Sequence, residues 1–298
     1  MCAANRRQFL TQTTAALTAT GLVTGGEQTA RLASGRSAIP ATHRDPQDHS
    51  DPNLHLLVDD HEIARSENVS RVLNRMYKHP RPVLVADRPW EGERAQAWGS
   101  VIQEPAGLFR MWYFAFNTER RWDELDRGGY CYAESRDGLH WTKPDLNLFE
   151  FRGSKRNNLF YSCAPDGVNL VDEELARRGL GLPAIDEKGE TIGVINNLDG
   201  LTVVRDDDDP DPQKRYKLIA NMQDHRMWAP YNPKRYPNVT TEQVKKSTRV
   251  FGQYMDTSPD GIHWTRRPQR LMAARGGDYM MVTRDHRNKQ WWLNERAH

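Results

Sequence analysis

The chain has 298 residues, and its 42 Lys and Arg nearly balance its 40 Asp and Glu, which leaves a net charge of +2. This balance gives no overall field that would favour nucleic acid or anionic lipid as a partner. No apolar run reaches about 18 residues, so the sequence contains no predicted membrane span. Nine Trp and ten Tyr are many for this length and favour β structure, because flat rings pack well on a pleated surface.

The N-terminus is similar to a bacterial twin-arginine export signal. RRQFL at residues 6–10 precedes a mildly apolar Ala/Thr/Leu stretch, the order typical of such signals. A basic, disordered N-terminus is the alternative. We expect residues 1–40 to be a signal and linker, residues 41–79 a polar tail with a lead-in strand, and the destination to be periplasmic or extracellular. In an oxidising compartment Cys131 and Cys163 would form a disulfide or remain two buried thiols.

Two eight-residue phrases form an internal repeat. SRDGLHWT occupies residues 135–142, SPDGIHWT occupies residues 258–265, and six of the eight positions are identical. Each phrase follows segments that are rich in β-branched and aromatic residues, which predict strands. Asp-Gly supplies the positive φ angles of a two-residue hairpin turn. Each phrase therefore predicts a turn between a third and a fourth strand, with the His-Trp pair in the fourth.

A second pattern lies upstream of these phrases. An apolar strand ends in an acidic residue, turns, and returns as an aromatic strand at Glu104, Asp206 and Asp285. These acidic residues suit a structural role, in which their side chains accept hydrogen bonds from nearby backbone. The repeated unit is four short antiparallel strands, and such units arranged around an axis are β-propeller blades.

The repeats predict an all-β fold of β-propeller type within residues 80–298. Unit one covers about residues 98–142, unit two covers about 199–265, and unit three begins near residue 278 with two strands. The one predicted helix is short and lies near residues 171–178. Two and a half blades cannot close a ring without leaving open sheet edges. We therefore expect either a C-terminally truncated chain or closure through oligomerisation.

Four segments carry a resemblance to a known superfamily: WGSVIQEPAGLFRMWYFAF, YCYAESRDGLHWTKP, DDDPDPQKRYKLI and YMDTSPDGIHWTRRP. They resemble the five-bladed β-propeller glycoside hydrolases of the arabinanase, levansucrase and invertase kind, over roughly residues 80–298. The resemblance implies a secreted protein that acts on glycosidic bonds of an oligo- or polysaccharide. The invertase motif Trp-Met-Asn-Asp-Pro-Asn does not occur, and its Arg-Asp-Pro motif is echoed only loosely at residues 284–286. This departure argues against fructosidase activity.

The resemblance also implies where catalytic carboxylates would lie, on the inner strands of successive blades around an axial funnel. Asp199 and Asp278 each stand seven residues before the acidic turn residue of their unit. The matching position in unit one is Ala97, so Glu93 in PWEGER is the third candidate. Glycoside hydrolysis requires two carboxylates, about 5 Å apart in retaining enzymes and roughly 6.5–9.5 Å apart in inverting ones. The alternative for Asp199, which precedes Gly200, is a turn-capping role.

The insertion between residues 221 and 247 offers candidates for sugar binding. Aromatic rings there would stack on sugar faces beside basic groups, and the candidates are His225, Arg226, Trp228 and Tyr231. A surface loop pinned by its aromatic residues is the alternative. Two other functions stay open, namely a non-catalytic propeller that binds carbohydrate or protein, and an inactive fragment. Ala97 at the matched position favours the non-catalytic reading.

The sequence contains no motif for a cofactor. The acidic run DDDDPDP at residues 206–212 would suit calcium by composition, but it lacks the ligand spacing of a known loop and is better explained as a solvated turn. His140 and His263 recur with the repeat and are expected to pack beside Trp141 and Trp264. We expect no cofactor, no nucleic-acid partner and a carbohydrate substrate.

Overall fold

A computed structural model describes residues 15–17, 63–116, 129–168, 172–273, 280–285 and 288–295 of the chain. The chain divides into two compact units, one of residues 81–298 with residues 1–20 and one of residues 21–80. Residues 63–80, the described part of the second unit, have irregular backbone. Every strand and helix named below lies in the first unit.

Strands dominate the secondary structure, at 37% against 12% helix, and this confirms the all-β class. The strands are β1 (Ala15–Leu17), β2 (Arg94–Gln103), β3 (Phe109–Phe116), β4 (Tyr130–Ser135), β5 (Trp141–Thr142), β6 (Leu159–Tyr161), β7 (Leu182–Ile185), β8 (Thr191–Ile195), β9 (Asn197–Arg205), β10 (Tyr216–Gln223), β11 (Gly252–Ser258), β12 (Gln269–Met272), β13 (Met280–Asp285) and β14 (Gln290–Glu295). The helices are α1 (Asp172–Arg178) and α2 (Thr241–Val250), and short 3₁₀ turns cover Pro89–Glu91, Pro212–Lys214 and His225–Trp228.

The first sheet follows the predicted unit one. Its strand order is β2-β3-β4-β5, with every neighbouring pair antiparallel, and β6 pairs with the first two residues of β4. The aromatic strand β3 lies inside this sheet, where Trp112 and Tyr113 are buried on opposite faces. Trp141 begins the fourth strand, as the repeat predicts.

The second sheet contains the predicted unit two and extends beyond it. Its order is β8-β7-β12-β11-β10-β9, so β9 to β12 form a four-stranded antiparallel meander, and the β7-β8 hairpin adds two strands through a parallel contact between β7 and β12. The predicted fourth strand is wrong here, because the strand runs over Gln269–Met272 whereas Trp264 lies in irregular backbone. The sequence interpretation also missed α2, which begins with a capping box between Thr240 and Gln243.

The third sheet has the order β1-β14-β13. The antiparallel pair β13-β14 is the two-stranded unit three that the acidic-turn pattern predicts, with Asp285 opposite Gln290. Of the predicted export signal, the described part is Ala15–Leu17, whose backbone pairs with β14.

The three sheets pack on one another through the two faces of the second sheet. Leu218 and Ile219 are consecutive in β10 and so point to opposite faces. Leu218 belongs to the large core that contains Trp112 and Tyr132 of the first sheet. Ile219 packs instead with Val282 of the third sheet. One strand thus joins two hydrophobic cores, and the sheets are stacked in chain order.

The Asp-Gly phrases are structural turns, but of another kind than predicted. Only the glycine has positive φ, at 72° for Gly138 and 75° for Gly261, and five residues separate β4 from β5. The Asp137 carboxylate accepts hydrogen bonds from the backbone N–H of Leu139 and His140, both at 2.8 Å. The predicted two-residue hairpin is therefore wrong, because the aspartate side chain closes a longer turn.

The acidic residues at the strand ends join one unit to the next. Glu104 of unit one pairs with Arg205 of unit two, and Asp206 of unit two pairs with Arg284 of unit three at 3.6 Å. Each of these acids also binds a cation of its own unit, Arg110 at 3.2 Å from Glu104 and Lys217 at 2.8 Å from Asp206. The predicted structural role is borne out for Glu104 and Asp206, although their side chains bind cations rather than nearby backbone. The two pairs occupy matched positions, so the repeat extends to the contacts between sheets.

Both cysteines in the described part of the chain are free and buried. Burial raises the pKa of the Cys131 thiol well above its usual value. Of the two alternatives that the sequence left open, the structure has two buried thiols.

Candidate functional site

The first strands of the three repeated units, which are β2, β9 and β13, lie side by side. β9 packs against β2 on one side and against β13 on the other. The backbone N–H of Val203 donates a 2.8 Å hydrogen bond to the Ser100 hydroxyl, which joins β9 directly to β2. Together these strands surround a cavity of about 260 Å³, lined by residues 98–102, 200–203 and 281–283. Concave sites of this kind are where small ligands bind.

Both β2 and β9 contain a β-bulge where they begin to line this cavity. The β2 pairing is interrupted between Gln96 and Ser100, and the β9 pairing shifts next to Gly200, whose φ is 64°. At Gly99 a Cβ atom would lie only 1.8 Å from the backbone oxygen of Trp112, so the close approach of the two strands requires glycine. Bulges redirect side chains and are common beside active sites.

One candidate carboxylate, Asp199, lies at this bulged end. Asp199 lies in β9 directly before Gly200, is half-buried, and is opposite Asn221 of β10. Glu93 is exposed and immediately precedes β2, so it lies farther out along its strand than Asp199 does. Asp278 lies outside the described residues, two positions before β13 begins. The Tyr130 hydroxyl connects this end of β9 to the first sheet, because it donates a 3.0 Å hydrogen bond to the Leu198 carbonyl oxygen and accepts one of 3.2 Å from the Leu198 backbone N–H.

Two of the four predicted sugar-binding residues form an exposed aromatic pair. The rings of Trp228 and Tyr231 are 6.0 Å apart and inclined at 55°, and these residues are 37% and 78% exposed. The Trp228 indole N–H donates to the Gln223 amide oxygen at 3.0 Å, and the Gln223 amide donates to Asn197 at 3.0 Å. Since Asn197 begins β9, this chain of hydrogen bonds places the aromatic pair at the same end of the sheet as Asp199.

The other two predicted sugar-binding residues have partners within the protein. The His225 ring nitrogen is 2.6 Å from the Tyr236 hydroxyl, and the Arg226 guanidinium binds both carboxylate oxygens of Asp224. Asp224 is buried and also accepts a 2.8 Å hydrogen bond from the Ser247 hydroxyl of α2. His225 and Arg226 therefore hold the loop that presents the aromatic pair.

Sequence reasoning chose Glu93 and passed over its neighbour Glu91, which is fully buried. The Glu91 carboxylate accepts hydrogen bonds from the backbone N–H of Asp87 and Arg88, at 2.8 and 2.9 Å, and from the Tyr113 hydroxyl. The buried ammonium of Lys143 lies 2.7 Å from it. Burial raises the pKa of Tyr113, so its hydroxyl stays protonated and donates. Only tertiary contact between the segment at 87–91 and the first sheet reveals this network.

The acidic run at 206–212 binds a lysine. The Lys217 ammonium lies 2.8 Å from the carboxylates of both Asp206 and Asp209. Burial opposes ionisation of Asp209, but its hydrogen bond from Lys217 prevails and lowers its pKa. Within the described ranges, no three His, Cys, Asp or Glu side chains are grouped so that they could hold a metal ion.

No protein-family model matches this chain, and no curated protein matches it significantly. Among the residues that the structure describes, no helix has the length and apolar character needed to cross a membrane.

Proposed function

We propose that this protein is an exported, glycoside hydrolase-like β-propeller that acts on glycosidic bonds of an oligo- or polysaccharide. In this proposal each sheet is a blade, RRQFL belongs to the export signal, and the cavity between the first strands is the axial funnel. The observation that carries the proposal is the convergence of three matched first strands on one cavity, with Asp199 at a bulge at its end.

The proposed chemistry uses Asp199 and Asp278 as the paired carboxylates, with Glu93 as the third. One carboxyl, in its protonated form, gives its proton to the glycosidic oxygen as the bond to the sugar carbon breaks. The other carboxylate either attacks that carbon or removes a proton from the water that does so. Matched positions in neighbouring units support this pairing, because neighbouring first strands bring equivalent residues to the same end.

The aromatic pair of Trp228 and Tyr231 is proposed to bind sugar rings next to this funnel. A flat, exposed ring offers an apolar face to the C–H groups of a sugar, while the polar rim of the sugar remains in water. The hydrogen bonds from Trp228 through Gln223 to Asn197 support a fixed distance between this surface and β9.

A non-catalytic propeller that binds sugar is the second candidate. It is favoured by Ala97, which in unit one holds the position of Asp199 and Asp278 and has no carboxylate. In this case the cavity and the aromatic pair would recognise a glycan without cleaving it.

The test measures both binding and reducing-sugar release on a panel of plant and algal polysaccharides. Asp199→Asn and Asp278→Asn are each expected to abolish release, by a factor on the order of 100 or more, while glycan binding is retained. The matched control is Asp145→Asn, which changes an exposed carboxylate that pairs with the exposed Arg156. Binding without release by the wild type would support the second candidate. Full release by both variants would refute the paired carboxylates.

A further inference from the structure

The described part of the second unit presents an unusual group of exposed apolar side chains. Five residues within nine positions are between 73% and 93% exposed, namely Val69, Val72, Leu73, Met76 and Tyr77. Single exposed apolar residues are ordinary, but a contiguous group of this kind marks an interaction site.

The spacing of these residues is that of one face of an α-helix. They occur at positions i, i+3, i+4, i+7 and i+8, and at 100° per residue they would cover an arc of about 140°. Asn68 precedes them, as a residue type suited to a helix N-cap, and Pro80 follows His79 and would end the helix there. In the free protein the backbone of residues 69–79 is irregular. A helix of about three turns does not form alone in water, because nucleation is costly.

If this segment were helical, its charged side chains would lie opposite the apolar face. On the same helix Arg71, Arg75 and Lys78 would lie within about 60° of one another, centred roughly opposite Val69. Residues 68–81 contain no Asp or Glu, so these cations and Arg81 give the segment a strongly positive charge although the whole chain is nearly neutral. The composition therefore complements a surface that is apolar beneath an anionic layer.

We propose that residues 69–79, the basic segment, fold into an amphipathic helix on an anionic phospholipid surface. The helix would lie in the plane of the interface, with Leu73 and Met76 at the centre of its buried face and the cations level with the lipid phosphates. This attachment is independent of the proposed sugar chemistry and would keep the protein at a membrane surface without spanning it.

The experiment is vesicle co-sedimentation of the full chain, with circular dichroism on the same samples. Vesicles of phosphatidylglycerol and phosphatidylcholine are expected to bind the protein and increase its helical signal, whereas pure phosphatidylcholine vesicles bind far less. The triple variant Arg71→Gln, Arg75→Gln, Lys78→Gln is expected to lower the partition coefficient on the order of 100-fold. Its control removes three exposed lysines elsewhere, by Lys155→Gln, Lys188→Gln and Lys234→Gln, and should change binding little.

Two further variants test the helix and its apolar face. Asn74→Pro blocks a helix, but it replaces a residue in irregular backbone of the free protein, so it should reduce vesicle binding and leave thermal unfolding unchanged. Leu73→Ser with Met76→Ser should also reduce binding. Every comparison is made in the full chain, so any contribution from the N-terminus is constant. Unchanged vesicle binding by Asn74→Pro would overturn the proposal. It would also be overturned if the free chain self-associates in a way that requires Leu73 and does not bind vesicles at all.

Discussion

The buried pair of Glu91 and Lys143 allows a quantitative test of what holds residues 85–91 on the first sheet. Glu91 is fully buried, and the Lys143 side chain is only 6% exposed. Besides Glu91, the Lys143 ammonium binds the Val85 carbonyl oxygen and the Asp87 carboxylate, each at 2.7 Å. Its hydrogen bond to Asp87 lowers the pKa of that carboxyl.

The expected cost of Glu91→Gln follows from the partners it would abandon. The substitution leaves the buried Lys143 without its buried counter-charge. It also places an amide N–H₂ against donor groups that in the wild type donate to a carboxylate oxygen. Breaking a buried ion pair from one side costs about 3–5 kcal/mol. Lys143→Met should cost less, about 2–3 kcal/mol, because Glu91 keeps the Tyr113 hydroxyl and two backbone N–H groups.

The measurement is urea unfolding followed by tryptophan fluorescence, on the two single variants and the double variant. Removing both charges should cost less than the sum of the single changes, by about 1–3 kcal/mol. Asp145→Asn, whose ion pair with Arg156 is exposed, is the control and should change the free energy of unfolding by less than about 0.5 kcal/mol. A Glu91→Gln cost below about 1 kcal/mol, or strict additivity in the double variant, would refute the reasoning.

Two further predictions concern the bulge and a buried acid. Gly99→Ala should destabilise the chain by about 1–3 kcal/mol and lower the Tm, because its Cβ would meet the backbone oxygen of Trp112 at 1.8 Å; an unchanged Tm would contradict the bulge geometry. Burial raises the pKa of Asp256 to about 6, against the backbone hydrogen bonds from Thr257 and Arg266. Between about pH 4 and pH 6 the native state therefore holds a proton that the unfolded chain has released, so the free energy of unfolding should fall as pH rises through this window, by at most about 3 kcal/mol. Asp256→Asn should flatten that part of the pH profile, and an unchanged slope would show that another group titrates there.

The repeated phrases made much of the first sheet predictable from the sequence. Strand alternation and the Asp-Gly turns located β2 to β5 in order, and the acidic turn pattern located β9, β10, β13 and β14. Such local signals persist because the strand period and the turn chemistry are written in neighbouring residues. The predicted strand at Trp264 was wrong, because Trp264 packs in the core from irregular backbone. A large ring can fill a position in the core without belonging to a strand.

The candidate site was predictable in part. The matched spacing of Asp199 and Asp278 came from the repeat, and the exposed pair of Trp228 and Tyr231 came from composition alone. The link from this pair to β9 through Gln223 and Asn197 could not be predicted. Gln223 and Asn197 are 26 positions apart in the sequence, and only the pairing of β9 with β10 brings them together for the hydrogen bond that completes the link from Trp228. The anchoring of Arg226 by Asp224 likewise depended on burial of that carboxylate.

The all-β class, the repeated unit and the acidic residue at the end of each unit's first strand can be derived from local sequence, because they follow from periodicity and turn chemistry within a few residues. The partners of those acidic residues depend on the packing of the sheets. Arg205 reaches Glu104 and Arg284 reaches Asp206 because the sheets are stacked in chain order. Glu91 is buried by its contacts with Tyr113 and Lys143, whereas Glu93, two residues away, is exposed. Burial and ion pairing depend on residues that the fold brings together from distant parts of the chain, and a local sequence pattern does not identify those residues.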